Sequence, residues 1–386
     1  MNSSRWLILA DDLTGAADTA IAFARRGWTA SVAWGGEAPD DEVLALDADS
    51  RRMPAPAAAA RHVALLAEHG AGRGALFKKI DSTLRGQPAA ELAATLRALP
   101  GRMALVATAF PRQGRTVLDG RVRLHGEALD ATPLWAREHS YDSADLLRIL
   151  AAEGLRVGHA CRGGVRAALA EGIDALVCDA LEDADLEATV RDATPFSERL
   201  LWVGSAGLAH ALAAAGQGSA PGLPHFSGGI LMVIGSLAEA SRAGAALLAG
   251  DASLLAVSFT PEMLRTGPPD AAALRQALAV GRDVLVTIEA APDAPDVDLA
   301  RRLAAALAGT KPGALIATGG ETALAVLGAL GITGLRMIDE VEPGVPLGLA
   351  RAMPVITKAG GFGDAGTLPR CLAFLRRLRA PLENPE

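Results

Sequence analysis

Lysine is nearly absent from this chain. Only Lys78, Lys79, Lys311 and Lys358 occur among 37 lysines and arginines. Arginine therefore covers the ordinary surface roles, and a retained lysine either marks a place that needs a compact ammonium charge or, taken alone, reflects chance and codon bias equally well. Lys311 reads as an ordinary loop residue, whereas the other three sit inside motifs. Cysteine is as scarce. Cys161, Cys178 and Cys371 are far apart and form no CxxC pair, which argues against a disulfide frame or a zinc site and for a reducing compartment. No uncharged run approaches the roughly 20 residues of a membrane helix. The apolar start at Trp6–Ala10 is broken by Asp11 and Asp12 too early for a signal-peptide core. A cytoplasmic protein without a membrane partner is expected. The net charge of −7 gives no global attraction for nucleic acid, so an anionic ligand would have to meet a local cluster of cations.

Missing motifs narrow the chemistry further. GxxxxGK[ST], HExxH and GxSxG are absent, which excludes P-loop enzymes, zincin proteases and hydrolases with a nucleophile elbow. His62, His69, His125, His139, His159, His210 and His225 are scattered without metal-ligand spacing. They read as structural or surface residues, and no metal ligand is assigned.

What is abundant is alanine, leucine, valine and glycine, with half of the residues hydrophobic and 42 glycines. Short apolar runs alternate with helical segments, as in parallel strands covered on both faces. The alternation stops at residues 215–229, AGQGSAPGLPHFSGG, which are dense in Gly, Pro and Ser, and then restarts. The expected architecture is α/β: two Rossmann-like domains with mainly parallel sheets, residues 1–214 and 230–386, joined by the linker 215–229 with a cleft between them.

Five strand-end motifs could carry chemistry. In the first, Leu9-Ala10-Asp11-Asp12-Leu13-Thr14-Gly15, a strand ends in two acids and a Thr-Gly turn opens a helix. Carboxylates there can hold sugar hydroxyls or act as a general base, or Asp12 or Thr14 merely caps the helix. In the second, Lys78-Lys79-Ile80-Asp81-Ser82-Thr83-Leu84-Arg85-Gly86, three cations meet a strand-to-helix turn and make an anion pocket; a solvated loop is the plainer reading. The third, Phe110-Pro111-Arg112-Gln113-Gly114-Arg115, fits a wall of the same pocket. The fourth, Thr318-Gly319-Gly320-Glu321-Thr322, places paired glycines at a helix start, where backbone can approach a phosphate, although a tight βα turn explains it equally. The fifth, Lys358-Ala359-Gly360-Gly361-Phe362-Gly363-Asp364-Ala365-Gly366, contains a literal GxGxxG, but no further strand with a ribose-binding acid follows as a Rossmann dinucleotide unit requires.

Taken in order, these motifs resemble the four-carbon acid sugar kinases. ADDLTGAADT, DADSR (residues 47–51), KKIDSTLRG, FPRQGR, HGEALDAT, LWVGSAGLA, GGETALAVL and TKAGGFGD all look like landmarks of that family, from residue 7 to about residue 368. The resemblance implies an N-terminal domain for the sugar acid and a C-terminal domain for ATP. It further implies transfer of the γ-phosphoryl group to a terminal hydroxyl of a tetronate or 3-oxo-tetronate. By this resemblance Asp12, Lys79, Asp81 and Arg85 carry substrate binding with an acid among them as base, which makes Asp12 and Asp81 the catalytic candidates; the strand-end motifs add Asp11, Ser82, Arg112 and Arg115 to the substrate-binding set. Ser236, Gly319, Gly320, Glu321, Thr322, Lys358, Gly360 and Gly361 would line the nucleotide, and Mg²⁺ would be held largely by phosphate and water. The segment Gly235-Ser236-Leu237-Ala238-Glu239 departs from a family stretch usually richer in serine and threonine. Two rival readings are kept: an NAD(P)-dependent oxidoreductase using the C-terminal glycines, and a catalytically idle sugar-acid sensor. The expected partners are the small-molecule acid and ATP. Homo-oligomerisation is left open.

Overall fold

A computed structural model describes residues 5–36, 38–136, 141–161, 163–214, 218, 221–236, 238–266, 271–289, 297–358 and 363–380. The chain divides into two compact units, Met1–Ser219 and Ala220–Glu386.

The N-terminal unit begins with β1 (Trp6–Ala10), α1 (Leu13–Ala24), β2 (Ala30–Ala33), β3 (Val43–Asp47) and α2 (Ala55–His69). It continues through β4 (Ala75–Lys79), α3 (Pro88–Arg97) and β5 (Met103–Ala107). A small antiparallel sheet follows, built from β6 (Arg115–Leu118), β7 (Arg121–Leu124) and β8 (Glu127–Ala128). The unit ends with α4 (Leu146–Ala152), β9 (Val157–Ala160), α5 (Val165–Glu171), β10 (Ala175–Cys178), α6 (Asp183–Ala193), β11 (Leu200–Gly204) and α7 (Ala206–Ala213). The main sheet runs β2-β3-β1-β4-β11-β5-β10-β9, and every pairing in it is parallel. Strands β1, β5 and β11 are apolar along their whole length because helices cover both faces; β1, Trp-Leu-Ile-Leu-Ala, is buried at every position.

The C-terminal unit comprises β12 (Ile230–Ile234), α8 (Glu239–Ala249), β13 (Leu255–Phe259), α9 (Pro261–Thr266), α10 (Ala272–Ala279), β14 (Val284–Ile288) and α11 (Val297–Leu307). Then come β15 (Ala314–Thr318), α12 (Gly320–Ala329), β16 (Gly334–Glu340), β17 (Pro346–Ala350), β18 (Met353–Lys358) and α13 (Thr367–Leu378). Strands β13-β14-β12-β15-β18 are parallel, and β17 and β16 extend the sheet in antiparallel fashion. The core of this unit joins Met232, Ile316 and Ile356 of the sheet to Leu368, Leu372 and Leu375 of α13.

The α/β class and the parallel sheets agree with the sequence reading. Three features differ from it. The β6–β8 sheet, edge strand β9 and the pair β16–β17 were not expected, because short, half-polar strands lack the apolar run that marks a buried parallel strand. Within the segment 215–229, Phe226 is buried in the C-terminal core and its carbonyl accepts from Ala380 N at 2.8 Å. Among the described residues no helix is long and apolar enough to cross a membrane.

Candidate active site

In a parallel α/β sheet, side chains just past the carboxyl ends of neighbouring strands gather on one edge. Here β1 delivers Asp11 and Asp12, β3 delivers the turn 47–51, and β4 delivers Lys79 and Asp81. Backbone bonds lace the second of these turns to the first: Ser50 N and Arg51 N both donate to the Asp11 carbonyl, at 3.0 and 3.2 Å. That fixes where the Arg51 side chain starts. Its Nε and Nη2 donate to the two Asp11 carboxylate oxygens at 2.7 and 3.1 Å, its Nη1 donates to Asp12 Oδ2 at 2.6 Å, and its Nη2 lies 3.8 Å from Asp81 Oδ1. Asp81 in turn grips Arg85 with both oxygens, from Nε at 3.0 Å and Nη2 at 2.8 Å, and also accepts from the Thr83 hydroxyl. Leu84, inside this turn, has φ 60, a left-handed conformation that costs a leucine about 1–2 kcal/mol.

Of the roles left open for Asp12, the helix cap is present, and the same carboxylate also pairs with Arg51. Its Oδ1 caps α1 by accepting from Gly15 N at 2.8 Å, while Oδ2 holds Arg51. Gly15 itself is required by close approach: a Cβ there would lie 2.7 Å from Asp12 Oδ1 and 3.1 Å from Lys79 Nζ. The Lys79 ammonium thus sits beside the first turn of α1, donating to the Ile80 carbonyl at 3.0 Å.

Lys78 belongs elsewhere, contrary to its grouping with the cationic turn. Successive strand residues point to opposite faces, so Lys78 enters the layer of α2 and α3. Its Nζ lies 2.8 Å from Glu91 Oε2, with both side chains at most 1% exposed. Glu91 also accepts from Ser50 Oγ at 2.6 Å and lies 3.3 Å from His62 Nε2. This quartet supports the Ser50–Arg51 turn from below. Sequence reasoning missed Arg51, Ser50, Glu91 and His62 as part of the site; the DADSR stretch was the only trace of the first two.

Electrostatics keep the cluster charged. Burial pushes the Asp81 carboxyl up, but Arg85, with Arg51 and Lys79 behind it, outweighs burial and holds it well below the usual carboxylate range. Burial lowers the Arg51 guanidinium, yet Asp11, Asp12 and Asp81 raise it well above its ordinary value. Asp47, at the end of β3, behaves differently. Burial, with Asp12, Asp49 and Asp11 nearby, pushes it up to about 8 against the bond from Asp49 N. It carries a proton at neutral pH.

The remaining candidates of this unit divide. Arg115 is half-buried, donates to the Gln113 carbonyl at 3.0 Å, and feels both Asp81 and Arg85. Ser82 is half-buried within the same turn. Arg112 does not join the cluster: its side chain is 69% exposed and pairs with Asp183 at the start of α6.

The C-terminal unit gathers a second set. The register aligns Ile234 with Thr318 and Thr318 with Lys358, so the ends of β12, β15 and β18 lie side by side. Gly319 has φ 84 and ψ 123 and donates its N–H to the Lys358 carbonyl at 3.0 Å, opening α12 at Gly320. Across the turn, a Cβ on Gly235 would lie 2.0 Å from Thr322 Oγ1, and one on Gly319 would lie 3.4 Å from Ser236 N. Side chains here would fill the space above the helix start. Ser236 Oγ accepts from Ala238 N at 3.3 Å. Glu321 stands in the first turn of α12. Lys358, 1% exposed, donates to Ser241 Oγ at 3.0 Å, and burial lowers its proton affinity. Thr318 Oγ1 is buried without a hydrogen-bond partner among the described residues. A helix start, glycine backbone and a buried hydroxyl are groups that can receive an oxyanion. Gly360 and Gly361 lie outside the described residues. A cavity of about 410 Å³ near Lys311 and Arg351 occupies the other edge of this sheet, where strands begin, which is the wrong end for a ligand of a parallel sheet.

Comparison with known proteins agrees with this division. Residues 6–212 match the model of a sugar-binding N-terminal domain, and residues 231–368 that of a nucleotide-binding C-terminal domain. The chain is 42% identical to a D-threonate kinase of Cupriavidus necator, over 97% of this chain and 99% of that protein. It is 30% identical to a 3-oxo-tetronate kinase of Methylobacterium radiotolerans, over 95% of this chain and 98% of the other. A crystal structure of a Salmonella typhimurium LT2 protein, described as a tRNA synthase, matches with a TM-score of 0.79 at 24% identity, covering 95% of this chain and 98% of that one. That last likeness concerns the fold alone.

Proposed function

This chain belongs to the four-carbon acid sugar kinase family, and we propose that it transfers the γ-phosphoryl group of ATP to a terminal hydroxyl of a four-carbon sugar acid. D-threonate is the first substrate to test, given the relative at 42% identity. Its working place is the cytoplasm, where ATP is available.

The observation that carries this reading is the interlocked cluster of Asp11, Asp12, Asp81, Arg51 and Arg85. Three acids face three cations when Lys79 is counted, so the cluster is near neutral by itself. Arg115, within electrostatic reach of Asp81 and Arg85, tips it positive and favours a carboxylate ligand. Arg85 keeps 32% of its side chain exposed and Arg51 keeps 22%, which leaves guanidinium surface for a bidentate carboxylate. The acids supply acceptors for the hydroxyls of a polyol chain. Asp81, held ionised by Arg85, has too little proton affinity for a good base; its work is to aim Arg85. Asp12, whose side chain is 20% exposed, is the acid that orients the attacking hydroxyl, the service such a carboxylate gives in phosphoryl transfer. Lys79, beside the first turn of α1, stabilises negative charge on the oxygens being transferred.

In the C-terminal unit, the N–H groups at Gly320–Thr322, the Thr318 hydroxyl and Lys358 hold the phosphates. Mg²⁺, when bound with ATP, supplies charge neutralisation at the phosphate oxygens. Water exclusion matters because a phosphoryl group held ready for a sugar hydroxyl is equally open to hydrolysis.

A coupled ADP-release assay over D-threonate, D-erythronate and 3-oxo-tetronates tests the proposal. One of these acids is expected to turn over, and Arg85→Ala is expected to lower kcat/KM at least 100-fold, about 3 kcal/mol, with ATP binding retained. Unchanged kcat/KM in Arg85→Ala removes the sugar acid from this turn. ATP binding without ADP release from any acid favours the idle sensor instead.

A further inference from the structure

We propose that His159, Cys161 and Asp179 form a binding site for a thiophilic divalent metal, Zn²⁺ in the first instance, at the outer edge of the N-terminal sheet. The sequence expectation was that no cysteine or histidine had metal-ligand spacing. The three residues come together because β9 and β10 are paired in parallel register, Val177 with His159 and Cys178 with Ala160, and Asp179 N donates to the Ala160 carbonyl at 3.0 Å. His159 lies on β9 and Cys161 just past its end, so both stand beside the end of β10.

The donor atoms all lie within 4.8 Å of one another. His159 Nε2 is 3.0 Å from Asp179 Oδ1, and Cys161 Sγ is 3.9 Å from Asp179 Oδ2. Ligands at the usual zinc distances of about 2.0–2.3 Å stand about 3.3–3.7 Å apart around a tetrahedral ion, so shifts of about 1 Å or less, within reach of side-chain rotation at two exposed residues, suffice. Asp179 is already oriented. It is 4% exposed, and its two oxygens accept from Asp119 N at 2.8 Å and Gly120 N at 2.9 Å. Each oxygen retains a lone pair, and the two backbone bonds are the outer support that fixes a ligating carboxylate. His159 and Cys161 are both exposed, which gives the ion a way in and leaves a fourth position for water. A thiolate beside an imidazole selects Zn²⁺ or Co²⁺ and disfavours Mg²⁺ and Ca²⁺, which demand oxygen ligands. The ion would tie edge strand β9 to β10 and, through Asp179, to the turn before β7.

The site lies three to four strand spacings from β4 along the sheet order, about 14–19 Å at 4.8 Å per strand, so its residues are separate from those assigned to phosphoryl transfer. The test uses the untagged full chain, stripped by a chelator and titrated with Co²⁺ as spectroscopic probe. One equivalent is expected to give a thiolate-to-cobalt charge-transfer band with the intense visible absorption of a tetrahedral ion. Zn²⁺ is expected to displace it, raise the thermal midpoint and protect one fast-reacting thiol from a disulfide reagent. Cys178 and Cys371 are buried, so that thiol is Cys161. Cys161→Ser should abolish the band and the midpoint shift, and His159→Gln should weaken Co²⁺ binding at least tenfold. Because both positions are exposed, these variants fold. A band that survives in Cys161→Ser, or no stoichiometric band in the parent chain, overturns the assignment.

Discussion

Replacing Lys78 by methionine tests the support beneath the site. The Lys78 ammonium and the Glu91 carboxylate are 2.8 Å apart and at most 1% exposed. Their attraction is about 6 kcal/mol at an effective dielectric constant near 20. Desolvating two ions offsets most of that, so the intact pair adds little net stability. Removing one partner is different, because Glu91 then stays buried beside only His62 and Ser50. The expected cost is about 3–5 kcal/mol, a large part of the roughly 5–15 kcal/mol that holds a domain folded. A second change, Glu91→Leu, should recover most of it.

The loss should also depend on pH. Burial and then Lys78 hold His62 below its ordinary value, so in the parent chain His62 stays neutral near pH 7. A histidine whose folded pKa is depressed lowers stability as pH falls below its unfolded value of about 6.5. In Lys78→Met the lysine's repulsion is gone and Glu91 is uncompensated, so the His62–Glu91 pair takes up one proton. If it holds that proton from pH 8 to pH 6, the deficit shrinks by up to about 2.7 kcal/mol, at 1.36 kcal/mol per pH unit. All five tryptophans, Trp6, Trp28, Trp34, Trp135 and Trp202, belong to the N-terminal unit. Urea unfolding followed by tryptophan fluorescence therefore reads this unit selectively. A deficit below about 1 kcal/mol, or one that does not change between pH 8 and pH 6, refutes the account of the buried quartet.

Two further outcomes are expected. Asp47 has a folded pKa near 8, above its unfolded value, so it lowers stability progressively as pH rises from about 4 to 8. Asp47→Asn, which mimics the protonated form, should be more stable than the parent chain by more than about 1 kcal/mol at pH 8 and indistinguishable near pH 4 in the same urea assay. Gly319→Ala places a Cβ at φ 84 and 3.4 Å from Ser236 N; it should cost about 1–3 kcal/mol in folding or nucleotide affinity, read as a rise of about tenfold or more in the Kd for ATP by calorimetry, with binding of the sugar acid unchanged.

The strand-end motifs were legible because they are local. Asp81 and Arg85 are four residues apart and meet across one turn, and Asp12 caps the helix that begins one residue later. The β/α alternation was legible for the same reason, since a strand buried on both faces shows itself as an unbroken apolar run. By itself the sequence determined the α/β class, the order of the apolar parallel strands and the concentration of charge at the carboxyl ends of β1 and β4. Tertiary structure alone decided which of those charges meet. Arg51 joins Asp11 from 40 positions away because β3 lies against β1 in register, Ala10 opposite Asp47. Lys78 and Lys79 are neighbours in sequence yet serve opposite faces of the sheet, since side chains alternate along a strand and each face packs on a different helix layer. Strand order and register arise from the packing of whole helices and sheets, so no window of neighbouring residues contains them.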